Sequence, residues 1–269
     1  MKRSPLLFTC VLFSALASSH MHANPSDLKN VDALVVAVNS RATGAQQQRS
    51  VTLKLKNRRG QLREQSLSFY RQDLPEKRQT ALFYRAPSNV KNTALLMWDY
   101  QDEKHEDDQW LYLPSFRKVR RIAGANRGDY FLNTDLTYDD IKNEGKLVPA
   151  DFSFEILSDD TLDGRRIIQL QGTTHRQSAV ELGYSRVLWS IDSLSLLSRK
   201  IEMWDQNGNL LKTVFNERIE QVQGIWSVLT TKVVNHKTHH ETEFIVNTID
   251  YQKTIPSRTF RQNALSRAP

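Results

Sequence analysis

Two stretches of the chain carry side chains of the kinds that bind metal ions. His236, His239 and His240 are followed by Glu241. A catalytic zinc site on a helix places two histidines four residues apart with a glutamate between them, whereas these histidines lie in a polar turn between two predicted strands. The acidic run within residues 99–108 lacks the regularly spaced ligands and central glycine of a calcium loop, and a solvated hairpin tip explains it better. We therefore expect no metal site.

Sequence motifs for covalent catalysis and phosphate binding are absent. The chain has no Gly-x-Ser-x-Gly elbow, its one cysteine is Cys10, and its 10 glycines lie in predicted turns. A carboxylate pair dispersed along the sequence, as in a hydrolase of envelope lipids or glycans, would leave no motif. The pattern favours a binding protein without a cofactor over an enzyme.

The N-terminal segment has the composition of an export signal. Two basic residues precede an apolar run, residues 6–17, which is shorter than the roughly 20 residues needed to span a bilayer. Small residues allow cleavage after Ala17 or after Ala23. We predict a signal peptide at residues 1–23 and a single exported domain, free of thiols, at residues 24–269. The alternative is an uncleaved membrane anchor.

The charge of the mature chain bears on its partners. The whole chain carries a formal net charge of +7, of which Lys2 and Arg3 in the signal contribute two, leaving +5. The basic residues are spread along the chain. This excess favours contact with an anionic membrane surface, and nucleic acid is a poor partner for an exported protein.

Hydrophobic periodicity divides the mature chain into one helix and a series of strands. From Leu28 to Val38 apolar residues recur at three- and four-residue spacing, which predicts an amphipathic helix capped by Ser26 and ended by Gly44. From Ser50 onward the period changes to 2, as in a half-buried strand. The predicted strands cover residues 50–56, 62–71, 77–84, 94–100, 109–113, 152–157, 165–171, 186–192, 196–204, 210–220, 225–234 and 243–250.

The strand pattern predicts a mainly β protein with a minor helical part. Strands separated by short polar turns favour one antiparallel meander that curls into a barrel or half-barrel. Residues 137–141 predict a short central helical segment that interrupts the meander. Residues 256–269 are expected to form a loosely held tail.

A motif spanning residues 109–140 is similar to that of a known family. It reads Trp-x-Tyr-x-Pro from Trp110, then a basic cluster ending Arg-Arg-Ile, then Phe131 and an Asp-x-x-Tyr-Asp-Asp helix start at Asp135. This series resembles the larger LolA-like outer-membrane lipoprotein-sorting proteins. The strand, Ala-Pro turn and strand pattern at residues 82–96 resembles the same family.

The resemblance implies both a fold and a function. It implies a single curved antiparallel sheet that forms a half-open β-barrel, lidded by the N-terminal helix and the short central helical segment. Its concave apolar face would take up acyl chains in the periplasm, with no cofactor and no covalent catalysis. Asn133 stands where the family has glycine, and Leu136 where an aromatic residue is usual, so the lid loop departs from the family pattern.

Seven residues of the motif are candidates for lipid contact. The predicted contacts within the lipid cavity are Trp110, Tyr112 and Phe131. Trp110 and Tyr112 share a strand face, and the alternative is that they are ordinary core residues of the sheet. The predicted contacts with lipid headgroups or a membrane at the rim are Arg117, Lys118, Arg120 and Arg121. Their alternative is a solvated loop with one arginine paired to Asp135 or Asp139.

These observations predict a periplasmic carrier or chaperone. It would bind the acyl chains of a lipid or lipoprotein, receive them from an inner-membrane transporter and deliver them toward the outer membrane, with transient membrane contact. A periplasmic sensor, or an adaptor subunit of an envelope transporter that binds a protein partner, is the alternative. A cavity filled by the protein's own side chains would favour that alternative.

Overall fold

The computed structural model describes residues 27–102, 105–123, 127–162 and 164–267. The predicted signal peptide, residues 1–23, lies outside the described residues, and so does Ser26, the predicted helix cap.

The N-terminal helix, α1, spans Val31–Ser40 and follows a single 3-10 turn at Asp27–Lys29. It begins later than the spacing of apolar residues suggests, because the side chain of Asn30 caps it by accepting a hydrogen bond from the amide of Ala33 at 3.0 Å. Its apolar stripe is buried as predicted, with Leu34 fully enclosed. The stripe packs against strands from the second half of the chain.

The described residues form thirteen strands and two further helices. The strands are β1 (Gln46–Lys56), β2 (Leu62–Asp73), β3 (Lys77–Ala86), β4 (Ala94–Tyr100), β5 (Asp108–Leu113), β6 (Lys118–Arg121), β7 (Phe152–Leu162), β8 (Arg165–Thr174), β9 (Tyr184–Asp192), β10 (Leu197–Asp205), β11 (Leu210–Val222), β12 (Ile225–Asn235) and β13 (His240–Asp250). The helices are α2 (Tyr138–Asn143) and α3 (Arg176–Leu182). The alternating pattern therefore located every strand except β6, whose four residues are all exposed and so show no apolar face.

All thirteen strands belong to one antiparallel sheet, which confirms the predicted fold class of a half-open barrel. The strand order is β6-β5-β4-β3-β2-β1-β13-β12-β11-β10-β9-β8-β7. The sheet is thus two meanders rather than the single one expected, and the first and last strands pair at its centre, with Leu53 opposite Phe244. The two edges, β6 and β7, are joined by the segment at residues 122–151, which contains α2.

The helices cover one face of the sheet in two places. The apolar side of α1 forms one core with residues such as Trp189 and Val214 from the second meander. Residues of the crossing segment, including Phe131 and Ile141, form another with strands β1–β4. We call residues 127–144, including α2, the lid. The sheet face beneath α1 and the lid is the one that curves around the barrel interior.

The C-terminal residues are packed, contrary to the loosely held tail expected for residues 256–269. Their 3-10 turns, Ser257–Phe260 and Gln262–Ala264, lie on the opposite face of the sheet from the lid. Phe260 and Leu265 are almost fully buried there against Phe83. The indole nitrogen of Trp98 donates a hydrogen bond to the carbonyl of Phe260 at 3.2 Å. Sparse apolar residues without a period anchor this tail, so the sequence shows no pattern there.

The tail should contribute measurably to stability. We expect Phe260→Ala to lower the free energy of unfolding by about 3 kcal/mol, because it removes a fully buried aromatic side chain and leaves a cavity. Urea unfolding measures the change, with substitution of the exposed Arg258, Arg258→Ala, as the control in the same segment. A loss below about 0.5 kcal/mol for Phe260→Ala would show that the tail is not part of the folded core.

Candidate ligand cavity

A cavity of about 290 Å³ lies between the curved sheet and the lid. Both meanders contribute to its apolar wall, which includes Val51, Leu67, Phe69, Trp189, Met203, Val214, Phe244 and Val246. These residues share one face of the sheet because side chains of a strand alternate between faces. The wall is therefore continuous across the β1–β13 junction at the centre of the sheet.

The lid closes the cavity with a short capped helix. The predicted central helical segment is confirmed as α2, which Thr137 caps. Asp140 donates a backbone hydrogen bond to the Thr137 hydroxyl at 3.1 Å, and its carboxylate accepts from the Thr137 amide at 2.7 Å. This capping box stabilises a helix too short to be stable alone. Leu136 and Ile141 present apolar surface to the cavity.

A buried lysine fixes the lid to the second meander. Lys212 on β11 has no exposed surface, and its ammonium lies 2.5 Å from the carboxylate of Asp140 and 3.2 Å from the carbonyl of Asp135. The carboxylate of Asp135 accepts a hydrogen bond from Thr242 on β13 at 2.7 Å. Separating this buried ion pair would leave an uncompensated charge, which is costly. The contact therefore holds the lid against β11.

A second charged network connects the lid to α3. Arg127 lies 2.6 Å from Asp151, 3.0 Å from Glu181 and 3.7 Å from Asp139 on α2. Burial raises the pKa of Asp139 to about 6, and the nearby cations Lys142 and Arg127 only partly oppose it. This carboxylate faces the cavity and ionises close to neutral pH.

One end of the cavity is polar and rich in arginine. Glu144, at the end of the lid, pairs with Arg49 on β1 and lies 3.5 Å from Arg71 on β2. Arg78 on β3 binds Asp73 through two hydrogen bonds at 2.7 and 3.0 Å. Burial alone would raise the pKa of Glu144, but the adjacent arginines outweigh it and hold that pKa below its usual range.

The same end of the cavity contains cations that are strongly desolvated. Burial lowers the pKa of Arg71 to about 10, with Glu144 partly opposing and Arg78 adding to the effect. Arg71 also donates to the carbonyls of Thr43 and Gly44, which ties the strand to the segment after α1. The cavity is therefore amphipathic, with an apolar wall and a basic end.

The predicted cavity aromatics lie elsewhere in the fold. Trp110 and Tyr112 share a face, as expected, but it is the face opposite the cavity, where Trp110 packs edge-on against Trp98 at 4.8 Å beneath the C-terminal tail. Phe131 is on the cavity side but is buried in the lid's own core, 6.2 Å from Tyr84 and 5.6 Å from Tyr138. None of the three predicted residues lines the cavity.

The four predicted basic residues cluster on the hairpin formed by β5 and β6, at the edge of the sheet. All four are exposed. Arg121 pairs with Asp108 at 2.7 Å, and Arg120 lies 4.9 Å above the ring of Phe116. The expected partners Asp135 and Asp139 instead contact Thr242, Lys142 and Arg127. We call residues 116–121 the basic hairpin, and a headgroup role for it stays a prediction.

Sequence reasoning missed the arginines and Lys212. Arg49 shares its strand face with Val51, and Arg71 shares its face with Leu67 and Phe69. The available signal was a cationic residue at a position on the apolar face of a strand. Such a residue points to the interior together with the apolar side chains of that face. The sequence contains nothing to show that the arginines from three strands meet Glu144.

The raised pKa of Asp139 predicts that the stability of the protein depends on pH. Because the pKa of Asp139 is raised to about 6 in the folded state, ionisation of this carboxyl group destabilises the fold. The protonated group therefore contributes stability at low pH, and this contribution is lost as the pH rises through 6. Asp139→Asn mimics the protonated form, so we expect its stability relative to the native chain to rise by about 1 to 3 kcal/mol between pH 4.5 and pH 7.5. Urea unfolding at both values tests this.

The exposed Glu64→Gln serves as the control for the same pH series. Its difference from the native chain should stay constant over the range. The assignment to Asp139 is wrong if Asp139→Asn gives an equally flat difference.

Three solved structures of known proteins are similar to this chain in fold. The chain matches solved structures of an outer-membrane lipoprotein-sorting domain from Vibrio parahaemolyticus, with 23% identity, TM-score 0.77 and coverage of 87% of this chain and 97% of that chain. A DUF1329 family protein from Desulfovibrio piger matches with 23% identity, TM-score 0.79 and coverage of 86% and 96%. A LolA superfamily protein from Nitrosomonas europaea matches with 17% identity, TM-score 0.64 and coverage of 86% and 96%.

No helix among the described residues has the length and apolar character to cross a membrane.

The remaining comparisons bear on the family. The search of curated proteins gave no match. A family model with the description "Uncharacterized protein" matches residues 76–267, which include most of the sheet, the lid and the C-terminal tail. The chain belongs to this DUF1329 family, which is LolA-like in fold.

Proposed function

We propose that the protein is a periplasmic carrier that shields the acyl chains of a lipid or lipoprotein and delivers them toward the outer membrane. The observation that carries the proposal is the open, mainly apolar cavity between sheet and lid. Apolar chains gain about 0.8 kcal/mol for each methylene removed from water, so such a space supplies affinity without chemistry. The role needs neither a cofactor nor catalysis.

The architecture supports reversible loading. The lid is attached to the sheet partly by ion pairs, including Lys212 with Asp140 and Arg49 with Glu144. Charged contacts of this kind exchange for water more readily than an interlocked apolar core, because solvation compensates the separated charges. A lid held in this way can admit and release a chain. In the proposed cycle, an inner-membrane transporter is the donor of the cargo.

A sensor or adaptor role is the second candidate. It is favoured if the protein's own side chains fill the barrel, and the open cavity of about 290 Å³ is more in keeping with a carrier. Exposed apolar side chains such as Val36 and Val180 are scattered singly, as on most protein surfaces. We therefore place the carrier first.

Loading of the cavity can be tested by native mass spectrometry of the full chain, expressed in a bacterial host and purified without detergent. We expect a fraction of the protein to carry lipid or lipopeptide mass. Val228→Trp, which adds bulk at a half-buried cavity position, should reduce that fraction severalfold. Leu157→Trp on β7 is the control, since Leu157 is exposed and lies outside the cavity lining.

Two outcomes would contradict the carrier proposal. One is protein that stays at its apo mass and cannot be loaded with any added lipid. The other is equal loading of Val228→Trp and the native chain, which would put the lipid somewhere other than this cavity.

The basic hairpin is the proposed point of transient membrane contact. Phe116 is 54% exposed and Val119 36% exposed beside its cations, and this mixture of apolar and basic side chains is typical of a membrane interface. Each basic residue near an anionic surface contributes about 1 kcal/mol. Replacing all four cations with glutamine should therefore weaken binding to vesicles containing an anionic phospholipid more than tenfold.

Sedimentation with vesicles at physiological salt measures this effect. Arg58→Gln/Arg59→Gln/Arg63→Gln removes exposed charge from the β1–β2 hairpin and is the control. An equal loss in both variants would assign the binding to overall charge rather than to the basic hairpin.

A further inference from the structure

Among the described residues, the basic end of the cavity contains more positive charge than the neighbouring carboxylates compensate. Four arginines line it: Arg41, Arg49, Arg71 and Arg78. Within the part of the chain that the structure describes, the carboxylates that pair with this group are those of Glu144 and Asp73. Four guanidinium groups therefore face two carboxylates, and two positive charges remain. Lys146, which also lines this end, is matched by Asp99 at 2.9 Å and does not change the balance.

Arg41 shows the imbalance most clearly. Its guanidinium donates to the carbonyls of Val38 at 2.7 Å and Glu144 at 3.3 Å, and no carboxylate among the described residues lies within ion-pair distance. Burial lowers its pKa, and the Glu144 carboxylate only partly opposes this. Arg41 is thus a desolvated cation held by neutral carbonyl groups.

The other arginines are enclosed as well. The side chains of Arg49, Arg71 and Arg78 are only 15%, 3% and 14% exposed. The Nε of Arg71 is buried without a hydrogen-bond partner among the described residues, although Asp73 lies 3.4 Å away. Holding excess charge in such a place lowers stability, because desolvation of an ion exceeds what incomplete pairing returns. Binding of an anion beside these guanidinium groups would offset that cost.

We propose that this end of the cavity binds the anionic headgroup, a carboxylate or phosphate, of an amphiphile whose apolar chain occupies the rest. The proposal rests on the proposed carrier function and names its ligand class. The planar guanidinium fork matches both carboxylate and phosphate, and charge-assisted hydrogen bonds of this kind are the strong ones. The apolar wall at Val51, Leu67 and Phe69 continues directly from the strands that contribute Arg49 and Arg71.

Glu144 makes the headgroup and the lid compete for the same cations. In the described state its carboxylate pairs with Arg49 and Arg71, in the position where a ligand anion would be bound. A headgroup that takes these arginines displaces Glu144, which belongs to the lid. Binding of an anionic ligand is thereby coupled to release of this end of the lid.

Matched ligands of one chain length separate the headgroup from the chain. Binding of dodecanoate, dodecyl phosphate, dodecanol and dodecylamine to the full chain is measured at pH 8 by displacement of a fluorescent apolar probe, below micellar concentrations. We expect the two anions to bind about tenfold more tightly than dodecanol, and dodecylamine to bind more weakly than dodecanol. Arg41→Gln and Arg78→Gln should each abolish most of this preference, which is measured as the ratio of anion affinity to dodecanol affinity in the same variant.

Glu144→Gln supplies a test that misfolding cannot imitate. It removes the competing carboxylate, so it should increase the ratio of anion affinity to dodecanol affinity severalfold. Arg218→Gln, at an exposed position on β11, is the control for loss of one positive charge and should behave as the native chain.

The outcomes distinguish this proposal from the carrier function itself. Equal affinity for dodecanoate and dodecanol overturns the headgroup site and leaves the carrier standing. Binding of none of the four ligands argues against the carrier function. If inorganic phosphate displaces dodecyl phosphate at concentrations similar to that of dodecyl phosphate itself, the arginines bind a free anion and the amphiphile proposal is wrong.

Discussion

The pairing of β1 with β13 is the constraint on which the rest of the structure depends. It joins strands from opposite ends of the sequence, from Gln48 opposite Asp250 to Lys56 opposite Glu241. Without it each meander would expose an unpaired edge, and neither would be long enough to curve around a cavity. With it, the apolar side chains of both meanders form one wall. The bulge between Ser50 and Val51 lies within this junction, where an extra residue increases local bending.

The position of the lid depends on the pairing of β1 with β13. Lys212 on β11 reaches Asp140, while Arg49 and Arg71 on β1 and β2 reach Glu144, so opposite ends of α2 are fixed to different meanders. The polar contacts add little net stability, because desolvation cancels most of the Coulomb attraction. They join the lid to the sheet at two defined points, Asp140 and Glu144. A change in the charges that contact either end of the lid therefore changes how firmly that end is held.

The carrier role proposed for this protein requires binding that is tight enough to shield the cargo and loose enough to release it. Apolar burial supplies affinity in proportion to chain length, and it discriminates poorly between ligands. Charged groups discriminate well, since a buried ion left unpaired is costly. The cavity separates these two tasks, with apolar residues along its wall and arginines at one end.

The sequence by itself determined which residues share a face, which segments other than β6 are strands, and where α2 lies. Alternation gave the strands because successive side chains point to opposite sides, and the helix start near Asp135 gave α2, whose capping hydrogen bonds between Thr137 and Asp140 are local. Periodicity does not say which face turns inward. Trp110 and Tyr112 face away from the cavity because the C-terminal tail covers that side, and only the tertiary structure decided this. It also brought Arg41, Arg49, Arg71 and Arg78 to Glu144, since their convergence depends on strand pairing and on the path of the lid, neither of which leaves a local signal.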